Sequence, residues 1–241
     1  MRSLRLGSVV IPPVTAALLA VLVACFILSG VAVRVSALAG VVDLLPVTTR
    51  DVLAGQVWRL ATYALLHDLS NPFHLIFNGL MIFFFGRQLE ERWSTRRYLL
   101  FLLLTVVVGG IFVVAAGWLG IGVGAAVGAS AFAEGLIVAW GLTYRDRDVR
   151  LMFALPMKGI HMVWVAIFFW VLDAVSTSAT SAAAHLGGMV TAAVLVLGIW
   201  NPNHIRLAWA SMLEKMGAKK KTQLFVVPRP PPARPEKKWV N

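Results

Sequence analysis

The chain has 241 residues, 59% of them hydrophobic and 14% charged, with a mean hydropathy of +0.80. Soluble domains run at roughly 45–50% apolar and about 25% charged residues, so this chain has too few polar side chains to cover a soluble globule; a soluble enzyme, a disordered protein and a secreted disulfide scaffold are excluded. Its single cysteine, Cys25, leaves no internal disulfide partner and no thiolate metal cluster, and the net charge of +11 takes its meaning from where the basic residues fall.

A helix crosses the hydrocarbon in about 20 residues, so long charge-free stretches mark the expected crossings. The first covers residues 9–33. Arg2 and Arg5 before it, with Ala37-Leu38-Ala39 behind, imitate a cleavable signal, and Leu22-Val23-Ala24-Cys25 imitates a lipoprotein box. The apolar run continues past Cys25 and exceeds the roughly 7 to 15 residues of a signal core, so it reads as an uncleaved span. A polar connection follows, holding Arg34, Asp43, Arg50, Asp51, Arg59 and Asp68, and then a second apolar stretch over residues 73–86. Residues 98–133 carry no charge, too long a run for one helix; Gly117, Gly120, Gly122, Gly124 and Gly128 divide it into a span over 98–118 and another opening near Ser130. Spans near 159–172 and 181–200 complete a count of six. The expected fold is an all-α polytopic membrane protein, a six-helix bundle over residues 9–200 between a short N-terminal segment, 1–8, and a basic tail, 201–241.

Charge sets the expected orientation. The start, the links 87–97 and 144–158, and the tail together hold 19 of the 22 Lys and Arg residues. By the positive-inside rule these lie on the cytoplasmic side of a plasma or inner membrane, with both termini there and the connection 34–72 outside. The charge is thereby a topology signal and nucleic acid drops out as a partner. In the tail, Ile205, Trp209, Met212 and Met216 recur at helical spacing before Lys219-Lys220-Lys221, a pattern that suits a helix lying on the lipid surface. Beyond it, Pro228 to Pro235 reads as extended and mobile.

With charge so scarce, the polar groups inside the spans are informative, because they are costly in hydrocarbon and face the bundle interior. The second span holds His74 and Asn78, the fourth Ser130 and Glu134, the sixth His185. His74 and Asn78 share a helix face, as do Ser130 and Glu134. All five lie in the first turns of spans that run from outside to inside, so they fall at one depth. Ser130 follows a glycine-rich approach and opens a helix whose free N-terminal amides favour an oxyanion. His185 is the candidate base for its hydroxyl, and His74 and Asn78 can donate to the oxygen that becomes negative when a carbonyl is attacked. The chemistry indicated is acyl transfer to water, with no metal and no cofactor. Each residue also has a plainer role: a backbone-bonded serine, a polar contact gluing helices, a histidine at a close helix crossing.

At these residues the sequence resembles the rhomboid family of intramembrane serine proteases in their six-span bacterial form, over roughly residues 57–200. The likeness rests on Trp58-Arg59, His74 with Asn78, Gly86, Leu89-Glu90, Arg97-Tyr98, Gly128-Ala129-Ser130 and Ala184-His185-Leu186-Gly187-Gly188. The resemblance implies a catalytic dyad of Ser130 as nucleophile and His185 as general base without a third acidic member. It further implies an oxyanion site of His74, Asn78 and the Ser130 backbone amide, and single-span membrane proteins as substrates, cut near the outer face. Gly188 with Ala192 would let the sixth helix approach the fourth closely.

Three departures from the family pattern stand out. Ala131 replaces the usual glycine after the serine. Glu134 stands where an aromatic residue often packs on the histidine; a carboxylate at that depth must be protonated, solvated or paired, and His185 is the expected partner, which Glu134 would orient or charge. The segment from His67 to His74 is about two residues longer than is common in the family. The rival functions are a pseudoprotease that binds membrane clients without cutting them, supported by Ala131 and Glu134, and a small transporter. The transporter would need polar groups continuing through the bundle, and only His161 and His204 lie toward the other side.

Overall fold

The computed structural model describes residues 4–6, 9–151, 155–176, 178–199, 201 and 209–211. They form two units, residues 1–200 and 201–241. Of the second, only Asn201 and a helical stretch at 209–211 are described, so most of the expected amphipathic segment, the lysine run and the proline-rich segment lie outside the described residues.

In the first unit a short antiparallel ladder of β1 (Leu4–Leu6) and β2 (Val9–Ile11) leads into α1 (Pro13–Ala32). Residues 9–11, expected as the start of the first span, are therefore strand, and the helix waits for Pro13, whose fixed φ and missing N–H suit a first turn. A second, unexpected device starts α1. The buried Glu90 carboxylate accepts from the Val14 N–H at 2.9 Å, the Thr15 N–H at 2.7 Å and the Thr15 hydroxyl at 2.7 Å. It thus caps, from 75 residues away, amides that no preceding turn can satisfy.

The connection after α1 is folded rather than loose. It contains α2 (Ser36–Val42), β3 (Val47–Thr48), α3 (Thr49–Leu53), α4 (Arg59–Thr62) and a 3-10 turn at Tyr63–Leu65. Arg59 is buried at its centre: Nη1 donates to the carbonyls of Asp43 (2.9 Å) and Pro46 (2.8 Å), Nε donates to Gln56 Oε1 (2.7 Å), and Nη2 lies 3.5 Å from Asp51. One guanidinium thereby closes the loop on itself, using donors in the fixed fork that only arginine offers.

The expected second span is one continuous helix over residues 72–92, made of α5 (Pro72–Met81), a π-bulge at Ile82–Gly86 and α6 (Arg87–Arg92). Next come α7 (Thr95–Trp118), capped by the Ser94 hydroxyl; β4 (Ala125–Ala126); α8 (Ser130–Thr143); a hairpin of β5 (Asp148–Leu151) and β6 (Leu155–Lys158); α9 (His161–Ser176); and α10 (Ala179–Leu197). The Ser178 hydroxyl caps the start of α10, and Gly198, at φ +66°, ends it in the left-handed region. The fifth helix overruns its expected end at 172, and the sixth stops short of 200. Among the described residues three helices, Pro13–Ala32, Thr95–Trp118 and Ala179–Leu197, are long and apolar enough to cross a membrane, with shorter apolar helices at Ser130–Thr143 and His161–Val175. Exposed Leu28 on α1, Leu103 on α7 and Trp164 and Phe168 on α9 give the bundle an apolar exterior, suited to lipid rather than water. The protein is a helical integral membrane protein.

Helix α8 is the buried centre, with nearly every residue from Ser130 to Gly141 shielded. Glycines bring its neighbours in. A Cβ on Gly188 would collide with the Ala131 carbonyl, so α10 meets α8 backbone to backbone; one on Gly187 would lie 2.8 Å from the Gly109 Cα, so α10 meets α7 in the same way. Gly109 in turn faces the Ala131 methyl, leaving room for that side chain.

Candidate active site

The stretch before Ser130 is pinned from three directions. Ala125–Ala126 pairs antiparallel with Val47–Thr48. The Gly128 N–H donates to the Tyr63 carbonyl at 3.0 Å, and the Thr180 hydroxyl donates to the Val123 carbonyl at 3.0 Å. Gly128 has φ +121°, and a Cβ there would press into the His74 ring, so both the backbone conformation and the neighbouring imidazole require glycine. This chain reversal sets Ser130 as the first residue of α8, where the leading amides have no partner within the helix.

Ser130 and His185 are both buried, and the tight α8–α10 contact brings their side chains together: Ser130 Oγ lies 2.6 Å from His185 Nε2. Ser181, one turn earlier on α10, has its Oγ 3.5 Å from the same nitrogen. The far side of the ring faces acid. Nδ1 is 3.1 Å from Glu134 Oε1 and 3.4 Å from Asp173 Oδ2, ion-pair distances without the alignment of a full hydrogen bond. Glu134 comes from α8, one turn below Ser130. Asp173 comes from the last turns of α9.

His74 and Asn78 project from α5 toward the same region in different ways. The half-buried His74 ring lies against Gly128. Asn78 is buried, and its Nδ2 donates to His67 Nε2 at 3.2 Å; the Ala129 N–H approaches the same nitrogen at 3.4 Å. Two donors on Nε2 place the His67 proton on Nδ1. Burial, and secondarily the neighbouring His74 at a ring separation of 5.2 Å, pushes His67 down to about 4, so it is neutral at pH 7 and serves as an acceptor bracing both Asn78 and the residue before Ser130. The extra length between His67 and His74 is taken up by a turn in which Asp68 Oδ1 accepts from the Ser70 N–H at 2.8 Å and hydroxyl at 2.6 Å.

All five polar residues singled out from the spans therefore stand at one end of the bundle, with Gly128 and Gly188 at the two close approaches that put them there. Two participants escaped the sequence. His67 precedes its span and drew notice only for its spacing, although a histidine seven residues before His74 was visible. Asp173 lies one position past the charge-free stretch that ends at residue 172. A helix ending in an acid shortly before a candidate base is the signal that would have found it.

A bundle of apolar helices encloses a hydrogen-bonded serine and histidine in a polytopic membrane protein. The family model of the Rhomboid domain matches residues 54–202, and the chain belongs to the rhomboid family, whose type is that of intramembrane proteases. No match is found among curated proteins.

Proposed function

We propose that the protein is an intramembrane serine endopeptidase that hydrolyses peptide bonds of single-span membrane proteins near the outer membrane face. The observation that carries this is the buried 2.6 Å contact between Ser130 Oγ and His185 Nε2 at the head of α8. In the proposed cycle, Nε2 takes the Ser130 proton as Oγ attacks the scissile carbonyl carbon, and the carbonyl π pair moves to oxygen. The oxyanion is stabilised by the Ser130 backbone amide, His74 and Asn78; one such donor is worth roughly 3–4 kcal/mol in a serine protease. Collapse re-forms the carbonyl and breaks the C–N bond, and the departing amine takes the proton from Nε2. A water then gives its proton to Nε2, attacks the acyl ester and releases Ser130, which recovers that proton.

The basic links 87–97 and 144–158 support an orientation with both termini in the cytoplasm and the Arg59-centred loop outside, in a plasma or inner membrane. In that orientation the serine would lie near the outer face, where water is at hand and a substrate helix begins to leave the lipid. No cofactor is required by this chemistry.

The test compares the purified full-length protein with Ser130→Ala and His185→Ala, using a serine-directed phosphonate and a single-span probe substrate. Labelling and cleavage in the wild type, lost in both variants, is the expected result. Labelling that survives Ser130→Ala refutes the nucleophile. A folded wild type that neither labels nor cleaves, yet captures the probe, favours a client-binding pseudoprotease.

A further inference from the structure

The Ser130 contact uses one nitrogen of His185, and the other faces two carboxylates from different helices, Glu134 on α8 and Asp173 on α9. Their side chains are only 15% and 20% exposed, and that of His185 is 9% exposed. Holding even one carboxylate in an apolar bundle is costly unless it has a partner, and a second beside it adds repulsion. A neutral imidazole offers one Nδ1–H, which two acceptors must share; that accounts for two ion-pair distances with neither oxygen in full hydrogen-bond alignment.

The place of Asp173 is secured by a separate contact. Trp170 Nε1 donates to the Ala182 carbonyl at 2.8 Å, tying α9 to α10. Trp170 lies three residues before Asp173 and Ala182 three before His185, so each pair shares a helix face and the indole bond sets the two faces against one another. Among the described residues, Ser130 on α8, Ser181 on α10 and, across the site, His74 on α5 also face the ring.

We propose that Asp173 is a positioning residue which, with Glu134, forms a carboxylate pair that holds the His185 Nδ1–H and leaves the Nε2 lone pair directed at Ser130. This rests on the reading of Ser130 and His185 as the reacting pair. No proton leaves Nδ1 in the step: as Nε2 takes the Ser130 proton the ring becomes an imidazolium, and both carboxylates then face a full positive charge where before they faced a dipole. Their attraction grows as the charge develops, which is how such groups favour a transition state. Drawing the two acids from two helices makes each a reserve for the other, so their loss is not additive.

The experiment uses the full-length protein in detergent, as wild type, Asp173→Asn, Glu134→Gln and the double variant. The phosphonate labelling rate is measured alongside the tautomer of His185, read by nitrogen NMR on protein carrying 15N-histidine. Each single variant is expected to label about tenfold more slowly and to keep the Nδ1–H form. The double variant should label about 10³ to 10⁴ times more slowly, the scale of losing the orienting acid in a serine protease, and show mixed tautomers. Asp173→Glu, which restores a carboxylate, should recover most of the rate; this separates lost charge from damaged packing. A double variant no slower than Glu134→Gln and identical to it in tautomer overturns the role of Asp173. If the wild type proves unreactive, the protease reading fails by itself, and the tautomer comparison still decides whether the acid pair governs the ring.

Discussion

Two parts of the bundle hold their neighbours by different means. Where α7, α8 and α10 meet, Gly109, Gly187 and Gly188 lack the side chains that would separate the backbones, and Ala131 presents only a methyl. Helix α9 instead turns Trp164, Phe168 and Phe169 outward and reaches the site through the Trp170 indole and the Asp173 carboxylate. The first arrangement has almost no tolerance in distance, because main-chain atoms cannot move aside; the second depends on two side chains that can. Ser130 and His185 both sit on the unforgiving contact, which is where the proposed proton transfer across 2.6 Å belongs.

That contrast can be broken most severely at Gly188. Gly188→Val places branched carbon against the Ala131 carbonyl, main chain that cannot yield, and should cost about 3 kcal/mol or more, the upper end of what overpacked cores lose. Thermal unfolding in detergent should show no cooperative transition, or one far below wild type; a normal melting curve would mean that α8 and α10 do not touch as described. Gly128→Ala should follow. It strains a residue at φ +121° and drives a methyl into the His74 ring, so about 1–3 kcal/mol of stability and most of the phosphonate labelling should be lost. Labelling at the wild-type rate would separate His74 from the site.

On α9 the expected effects shrink. Trp170→Phe removes one hydrogen bond to Ala182 and should cost about 1 kcal/mol, with labelling slowed because Asp173 is less well held; an unchanged melting temperature would deny that this bond fastens the helix. Phe168→Ala, on the exposed face, should stay within about 0.5 kcal/mol of wild type. The finest probe is pH. His67 has a proton affinity depressed to about 4 in the folded protein, against about 6.5 for the unfolded chain. Below pH 6.5 the unfolded state binds the extra proton, so stability from this residue is complete above pH 6.5 and declines as pH falls toward 4. In His67→Gln that part of the slope should vanish from melting temperatures taken across the window; a slope identical to wild type would rule out His67 as its source.

The places where sequence reading succeeded and failed have a common physical basis. Hydropathy is a local property, so each expected crossing corresponds to a helix, including the one that opens at Ser130. The ends slipped where something nonlocal decides them: β1 claims residues 9–11, Glu90 caps α1 from a distant helix, and α9 keeps an acid because His185 stands opposite it. The polar residues were legible as one group because they occupy equivalent turns of alternate apolar helices. Their partners were not. Asn78 engages His67, which no helical periodicity connects to it, and Ala131 fits because Gly109, on another helix, lacks a side chain.

Composition and pattern by themselves determined a membrane bundle, the number and order of its apolar helices and the short set of polar residues within them, because the cost of burying charge in lipid acts on each segment separately. Tertiary structure alone decided that Ser130 meets His185 at hydrogen-bond distance, that His67 braces the approach to α8 and that two carboxylates share one imidazole nitrogen. Those facts depend on distances between helices, set by which backbones can touch, and no segment carries that information by itself.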